Sequence, residues 1–287
     1  MKRWSKFTLA GLGLVSASGV LSVALGSASW NRKTAQLVAR LLQPSKGKEA
    51  KRVSFQNFDS LPAPVSRYFR LALTDGQPLI RNVRIHQKGE FWLNDKWIPF
   101  VATQHFSASP PGLVWDAEMR MNPLLSVRVR DAYVAGQGMM QAKMLALVPV
   151  MDEYAKAELN TGALQRYLAE AAWLPTALLP SEHLQWSAID ERRALATLTD
   201  FGVTVSLEFH FNDAGEITQV FTPGRYREVA GKYELTPWAG YSRNYQERDG
   251  MRIPVEGEVE WQLPGERLPY CKLRIIKVEY EFAGFNP

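Results

Sequence analysis

A single cysteine, Cys271, stands among 287 residues. That excludes an intramolecular disulfide and any paired-cysteine metal or redox site. Cys271 falls in an expected strand and reads as a sheltered, unreactive thiol. Histidine is scarce too: His86, His105, His183 and His210 are all there are. None is spaced from another as a metal pair, and HExxH is absent. His86 and His210 sit on polar strand faces and read as surface residues. No GxSxG element occurs, so an α/β-hydrolase nucleophile is missing. Gly11-Leu-Gly-Leu-Val-Ser16 matches half of a dinucleotide fingerprint but lies inside an apolar leader. Gly136-Gln-Gly138 lacks the helix that a phosphate site needs and reads as a turn or bulge. No cofactor is expected.

The basic charge is unevenly placed. The net charge is +5, yet residues 53–287 hold 24 basic and 28 acidic side chains. The excess lies in the first 52 residues. The remainder is mildly acidic, which argues against nucleic acid as a partner.

Residues 1–29 open with Lys2, Arg3 and Lys6 and continue uncharged to Ser29. This is the composition of a cleaved secretory signal or of a membrane anchor, and either places the rest in the cell envelope. The uncharged run is long enough to span a bilayer, and Trp4 and Trp30 flank it as interfacial aromatics would. The expected arrangement is an inner-membrane anchor with the domain outside the cytoplasm, or a periplasmic protein if the leader is removed. No cysteine follows the leader, which excludes a bacterial-type lipid anchor. Residues 30–57 read as a basic helix, stopped by Pro44, and a polar linker that either meets anionic headgroups or runs through water.

Aromatics are plentiful, with nine Trp, ten Tyr and thirteen Phe. Val203-Thr-Val-Ser-Leu-Glu-Phe-His-Phe211 alternates apolar and polar side chains without a break, and 255–261 and 276–282 repeat the pattern. One wet and one dry face is the mark of an antiparallel sheet. Strands are expected at 79–91, 96–107, 112–120, 124–136, 138–149, 184–190, 193–200, 202–211, 216–222, 224–234, 237–247, 252–263 and 270–282. Turn signals such as Asn94-Asp95, Pro223-Gly224 and Pro264-Gly265 separate them. A short capping helix is expected over 65–73. Residues 152–180 read as a helical insertion ended by Pro175 and Pro180. The fold class is mainly β (α+β): a large curved antiparallel sheet or half-barrel, one domain over 58–287, with an N-terminal helix.

Carboxylates are the remaining chemical groups. Asp116 and Glu118 share one strand face, and Asp131 interrupts an alternating strand. Tyr167, Glu170 and Trp173, three apart, form a strip on one helix flank. Trp115, Tyr133, Trp173, Trp186 and Trp238 are candidates to line a concave apolar side. Asp131, Glu170 and Arg225 are candidates to orient a polar end. The expectation is an envelope protein that binds a lipid-like or other apolar ligand, or a partner protein, on that side. The alternatives are an envelope enzyme with Asp116, Asp131 or Glu170 as acid or base, and a structural or scaffolding module.

Leu61-Pro-Ala-Pro-Val-Ser-Arg-Tyr-Phe69, Pro111-Gly-Leu-Val-Trp-Asp-Ala117, Arg130-Asp-Ala-Tyr133, Gly136-Gln-Gly138, Tyr167-Leu-Ala-Glu-Ala-Ala-Trp-Leu-Pro175 and Tyr270 resemble a family of uncharacterised bacterial proteins, known as a domain of unknown function. The resemblance spans about residues 58–282 and implies no reaction. The order of elements is similar to that of the periplasmic lipoprotein-carrier fold. That likeness implies a curved half-barrel around an apolar cavity, closed by helices.

Overall fold

The structure is a computed structural model that describes residues 4–43 and 51–284, with side chains from Leu21 onward. Among the described residues three α-helices and thirteen strands follow one another, with three short 3-10 turns between them: α1 (Trp4–Leu41), α2 (Ala63–Ala72), β1 (Ile80–Leu93), β2 (Lys96–Ser107), β3 (Gly112–Asn122), β4 (Leu125–Val134), β5 (Gln137–Met144), β6 (Val148–Tyr154), α3 (Ala157–Glu170), β7 (Leu184–Asp190), β8 (Arg193–Asp200), β9 (Val203–Phe211), β10 (Ile217–Val229), β11 (Lys232–Arg248), β12 (Met251–Leu263) and β13 (Glu266–Phe282). All thirteen strands form one antiparallel sheet in the order β6-β5-β4-β3-β2-β1-β13-β12-β11-β10-β9-β8-β7. The expected fold class is what the structure shows.

Two meanders make this sheet. β1–β6 runs outward from the middle, and β7–β13 runs back from the opposite edge. Only β1 with β13 joins them, from Ile80↔Phe282 to Phe91↔Cys271. α3 links one edge to the other and touches β3, β4 and β5 as well as β9 and β10. One helix reaches both halves only if the sheet curls around it, as sheet twist favours.

Two segments differ from the sequence reading. The expected strand over 138–149 is divided by a turn at 145–147, and residues 152–154, expected to open the helical insertion, belong to the edge strand β6, because they pair with β5. Pro149 is tolerated there because an edge strand has an amide row with no partner. Pro223-Gly224 is not a hairpin turn. It is a bulge inside β10, and pairing resumes at Arg225↔Thr236. The turn falls instead at Ala230-Gly231, where φ is +49° and +80°. Two left-handed residues are what a tight type I′ hairpin demands.

α2 and one flank of α3 fill one end of the concave side. Val65, Tyr68 and Phe69 join Leu164, Tyr167, Leu168, Phe209, Phe211 and Ile253 in the main core. A smaller apolar cluster, Ile98, Phe100, Ala102, Trp115, Ala117, Met119, Val129 and Ala142, lies on the same face of β2–β5 toward the hairpin tips.

The outer face is occupied too. The expected basic helix is the C-terminal part of α1, and it is docked rather than free. Trp30 is 2% exposed. Its Nε1 donates to Asp116 Oδ1 at 3.0 Å, and Thr34 Oγ1 donates to Asp116 Oδ2 at 2.7 Å. Arg130, 1% exposed, lies 4.0 Å from the Trp30 ring centre and donates to Trp30 O at 2.8 Å. Leu41 packs on Val114, Ala132 and Val134. Among the described residues no helix is long and apolar enough to cross a membrane. The expected leader or anchor over 1–29 falls largely on residues whose side chains lie outside those described. The side chains of 4–18 and the linker residues 44–50 lie outside the described residues.

Replacing Trp30 by Ala removes a buried indole and one Asp116 donor. It should cost about 3 kcal/mol in urea unfolding and abolish amide-exchange protection over 30–41. Retained protection there would show that α1 holds on without this contact.

Candidate functional site

Strand alternation sets which side chains face inward. Trp115 and Asp131 point to the concave side, while their neighbours Asp116 and Arg130 meet α1 outside. On β2, β3 and β4 the inward residues Gln104, Trp115 and Asp131 stand in one register row. Gln87 on β1 continues it diagonally. Trp115 Nε1 donates to Gln87 Oε1 at 3.0 Å, and Gln87 Nε2 donates to Gln104 Oε1 at 3.0 Å. Gln104 Nε2 then donates to Glu170 Oε2 at 2.6 Å.

α3 lies over this row. Arg166 Nε meets Glu170 Oε1 at 2.9 Å, and Nη1 meets Asp131 Oδ2 at 2.5 Å. Its guanidinium stands 5.1 Å from the Trp115 ring centre. Burial opposes the Arg166 charge, but Glu170 and Asp131 outweigh it and hold the guanidinium above its usual pKa. Six polar side chains thus form one connected string between sheet and helix.

Beyond the string the concave side is hollow. The cavity measures about 820 Å³. One wall is the smaller apolar cluster with Met119, Met121, Val129, Met140 and Ala142. The facing wall comes from the second meander and includes Trp238, Val259, Trp261, Tyr270 and Cys271. Gly162, Ala169, Glu170 and Trp173 close it from the helical side. Trp238 Nε1 donates to the Tyr270 hydroxyl at 2.9 Å, and Tyr270 stacks on Trp261 with ring centres 5.7 Å apart. Burial pushes the Cys271 thiol up to about 12.

Arg225 enters the same hollow. Residue pairing skips Pro223 and Gly224, and Arg225 follows directly after them. Nη1 donates to Gly162 O on α3 at 2.7 Å, and the guanidinium lies 5.1 Å from the Trp238 ring centre. Burial lowers the Arg225 pKa below its usual value.

Six of the residues singled out from sequence line this hollow: Trp115, Asp131, Glu170, Trp173, Arg225 and Trp238. Three do not. Tyr133 is in the core and donates to Asp200 Oδ2 at 2.8 Å. Tyr167 is buried against Phe106. Trp186 packs on Phe209 at 5.0 Å and donates to Leu178 O at 2.9 Å. A spacing of three drifts around a helix, so Tyr167 turns into the core while Arg166 and Glu170, four apart, share the cavity flank. Asp116 lies on the outer face, away from Asp131 and Glu170. Both inner carboxylates are engaged by the Arg166 guanidinium. Gln87, Gln104 and Arg166 were missed. The signal for the glutamines was present, since each stands at an inward position between apolar residues. No group of three metal-ligating side chains is found among the described residues.

A curved antiparallel sheet wrapped around a helix, with an aromatic-walled cavity between them, defines the class of protein. The chain belongs to DUF6920, a family of unknown function, whose profile matches residues 59–280. No curated protein matches the sequence. Solved structures similar to it include a Vibrio parahaemolyticus domain described in terms of outer membrane lipoprotein sorting, with TM-score 0.41, 8% identity, 72% of this chain covered and 87% of that one. A DUF1329 family protein from Desulfovibrio piger gives TM-score 0.41 and 8% identity over 79% of this chain and 96% of its own. A LolA superfamily protein from Nitrosomonas europaea gives TM-score 0.35 and 10% identity over 80% and 94%.

Two outcomes test this geometry. Arg166→Met strands two carboxylates on the cavity wall and should cost about 3 kcal/mol in denaturant unfolding, whereas a loss under about 0.5 kcal/mol would mean the clamp is idle. Native Cys271 should react with iodoacetamide at pH 8 about a thousandfold more slowly than in urea, since its thiolate fraction falls by that factor. Equal rates would place the thiol in open water.

Proposed function

We propose that this protein binds a lipid-like apolar ligand in the cavity between the sheet and α3. The observation that carries the reading is the hollow itself. Its volume of about 820 Å³ falls within the roughly 300–1,000 Å³ of small-molecule sites. Its lining is mostly aromatic, aliphatic and methionine side chains, and apolar surface of that extent is rarely left to water without a use. Methionines at 119, 121 and 140 suit a wall that adapts to a flexible chain. Glu170 and Asp131 serve to fix α3, which favours binding over acid–base chemistry. The cationic, uncharged-core leader supports a place in the cell envelope.

A neutral apolar fluorophore, N-phenyl-1-naphthylamine, should bind the full chain with a blue-shifted emission. Ala169 faces the cavity from α3. Ala169→Trp should fill the space and weaken that binding at least tenfold, with stability changed by no more than about 1 kcal/mol. Absence of binding to the unaltered chain would end the reading.

A further inference from the structure

The hollow is not chemically uniform, and its charges do not cancel pair by pair. Two cations reach well into it, Arg166 and Arg225. Of the carboxylates in the lining, Asp131 and Glu170 are bonded to Arg166, Glu153 pairs with Lys156 and Glu258 with Arg243, while Glu158 and Glu228 make no ion pair with Arg225. Arg225 has no ion pair among the described residues. Its one hydrogen bond runs from Nη1 to a backbone carbonyl, Gly162 O. A guanidinium carries five N–H donors in a rigid fork that matches a carboxylate or a phosphate. Nε and Nη2 of Arg225 therefore remain to be used.

The placement of this cation looks built. The bulge at Pro223-Gly224 brings Arg225 onto the cavity wall, and Gln165 Nε2 on α3 donates to Gly224 O at 3.0 Å. Gly162 O fixes one end of the fork and the Trp238 ring supports it from the side. Arg227, two residues nearer the hairpin tip, also lines the cavity without an ion pair among the described residues. Asp131 and Glu170 act on Arg225 from a distance, but no carboxylate bonds it, and a sheltered cation without a bonded partner is costly.

We propose that Arg225 docks the anionic head, a carboxylate or a phosphate monoester, of an amphiphile whose tail occupies the hollow. This rests on the cavity's being a ligand site. The head forms charge-assisted hydrogen bonds with the free edge of the fork. The tail runs along the Met119, Val129 and Met140 wall. Trp238 holds the guanidinium flat, so selectivity for the head comes from Arg225 and affinity for the tail from the wall.

The test compares cis-parinaric acid with its methyl ester on the full chain. The unaltered protein should bind the acid at least tenfold more tightly. Arg225→Gln should weaken the acid about tenfold and leave the ester unchanged, and Arg225→Lys should recover part of the loss. Competition by palmitate and by hexadecyl phosphate then tells which head fits better. Equal affinity of the unaltered protein for acid and ester would overturn the anionic-head assignment while leaving the cavity reading intact. So would an equal loss of both probes in Arg225→Gln, which would mark a packing role. Failure of both probes to bind the unaltered protein would overturn the cavity reading and this assignment with it.

Discussion

The polar string from Trp115 through Gln87, Gln104 and Glu170 to Arg166 and Asp131 is the constraint on which the rest depends. Charges removed from water must find partners. Arg166 finds both of its partners at one place only, where Asp131 of β4 and Glu170 of its own helix converge. That fixes α3 along its axis and in rotation. On one side of the string the helix buries Leu164, Tyr167 and Leu168 in a close-packed core. On the other side α3 presents Gly162, Ala169 and Glu170 at a distance, and the small apolar cluster of β2–β5 faces the cavity between them. The row of polar residues is thus the border between a filled half and a hollow half of one concave surface. An apolar residue at 131 or 166 would leave α3 free to slide along a uniformly greasy trough.

The two faces of β3 and β4 do different work with alternate residues. Trp115 and Asp131 face the cavity, and Asp116 and Arg130 anchor α1. A sheet with cover on both faces normally reads as a continuous apolar run. Here it does not, because the outer cover is attached by charged and aromatic groups. Arg128 pairs with Asp116 at 3.1 Å and Arg130 is sandwiched against Trp30. Alternation therefore survives in the sequence even where water is excluded.

That explains both what the sequence disclosed and what it hid. Residues 203–211 alternate cleanly and form β9 from Val203 to Phe211. From Val205 on its apolar side chains are buried, and its polar ones are half-exposed or exposed, so pattern and structure agree. Pro223-Gly224 carries the local signature of a turn, and local chemistry could not reveal that the pairing with β11 passes over it. β6 was hidden because Val148 to Tyr154 is an edge strand, whose side chains are almost all exposed and carry no burial period. Asp131 and Glu170 were visible as polar residues out of place, yet their common partner Arg166 was not, since a charge on a helix is ordinary until its surroundings are known. Tyr133, Tyr167 and Trp186 show the other limit. Aromatic type marks burial well but does not separate a packed ring from a cavity wall.

The topology also distributes firmness around the hollow. β1 and β13 lie at the centre of the sheet, each paired on both sides, and they carry Phe91 and Tyr270 into one wall. β6 pairs only with β5, and it gives Val150 and Met151 to the rim while leaving both exposed. Opening of a strand needs less free energy where fewer ladders and less buried apolar surface are lost. The wall that holds Tyr270, Trp261 and Trp238 is therefore backed by ladders on both sides, whereas the rim with Val150 and Met151 hangs on one, and the string that positions α3 lies on the inner strands rather than on that edge.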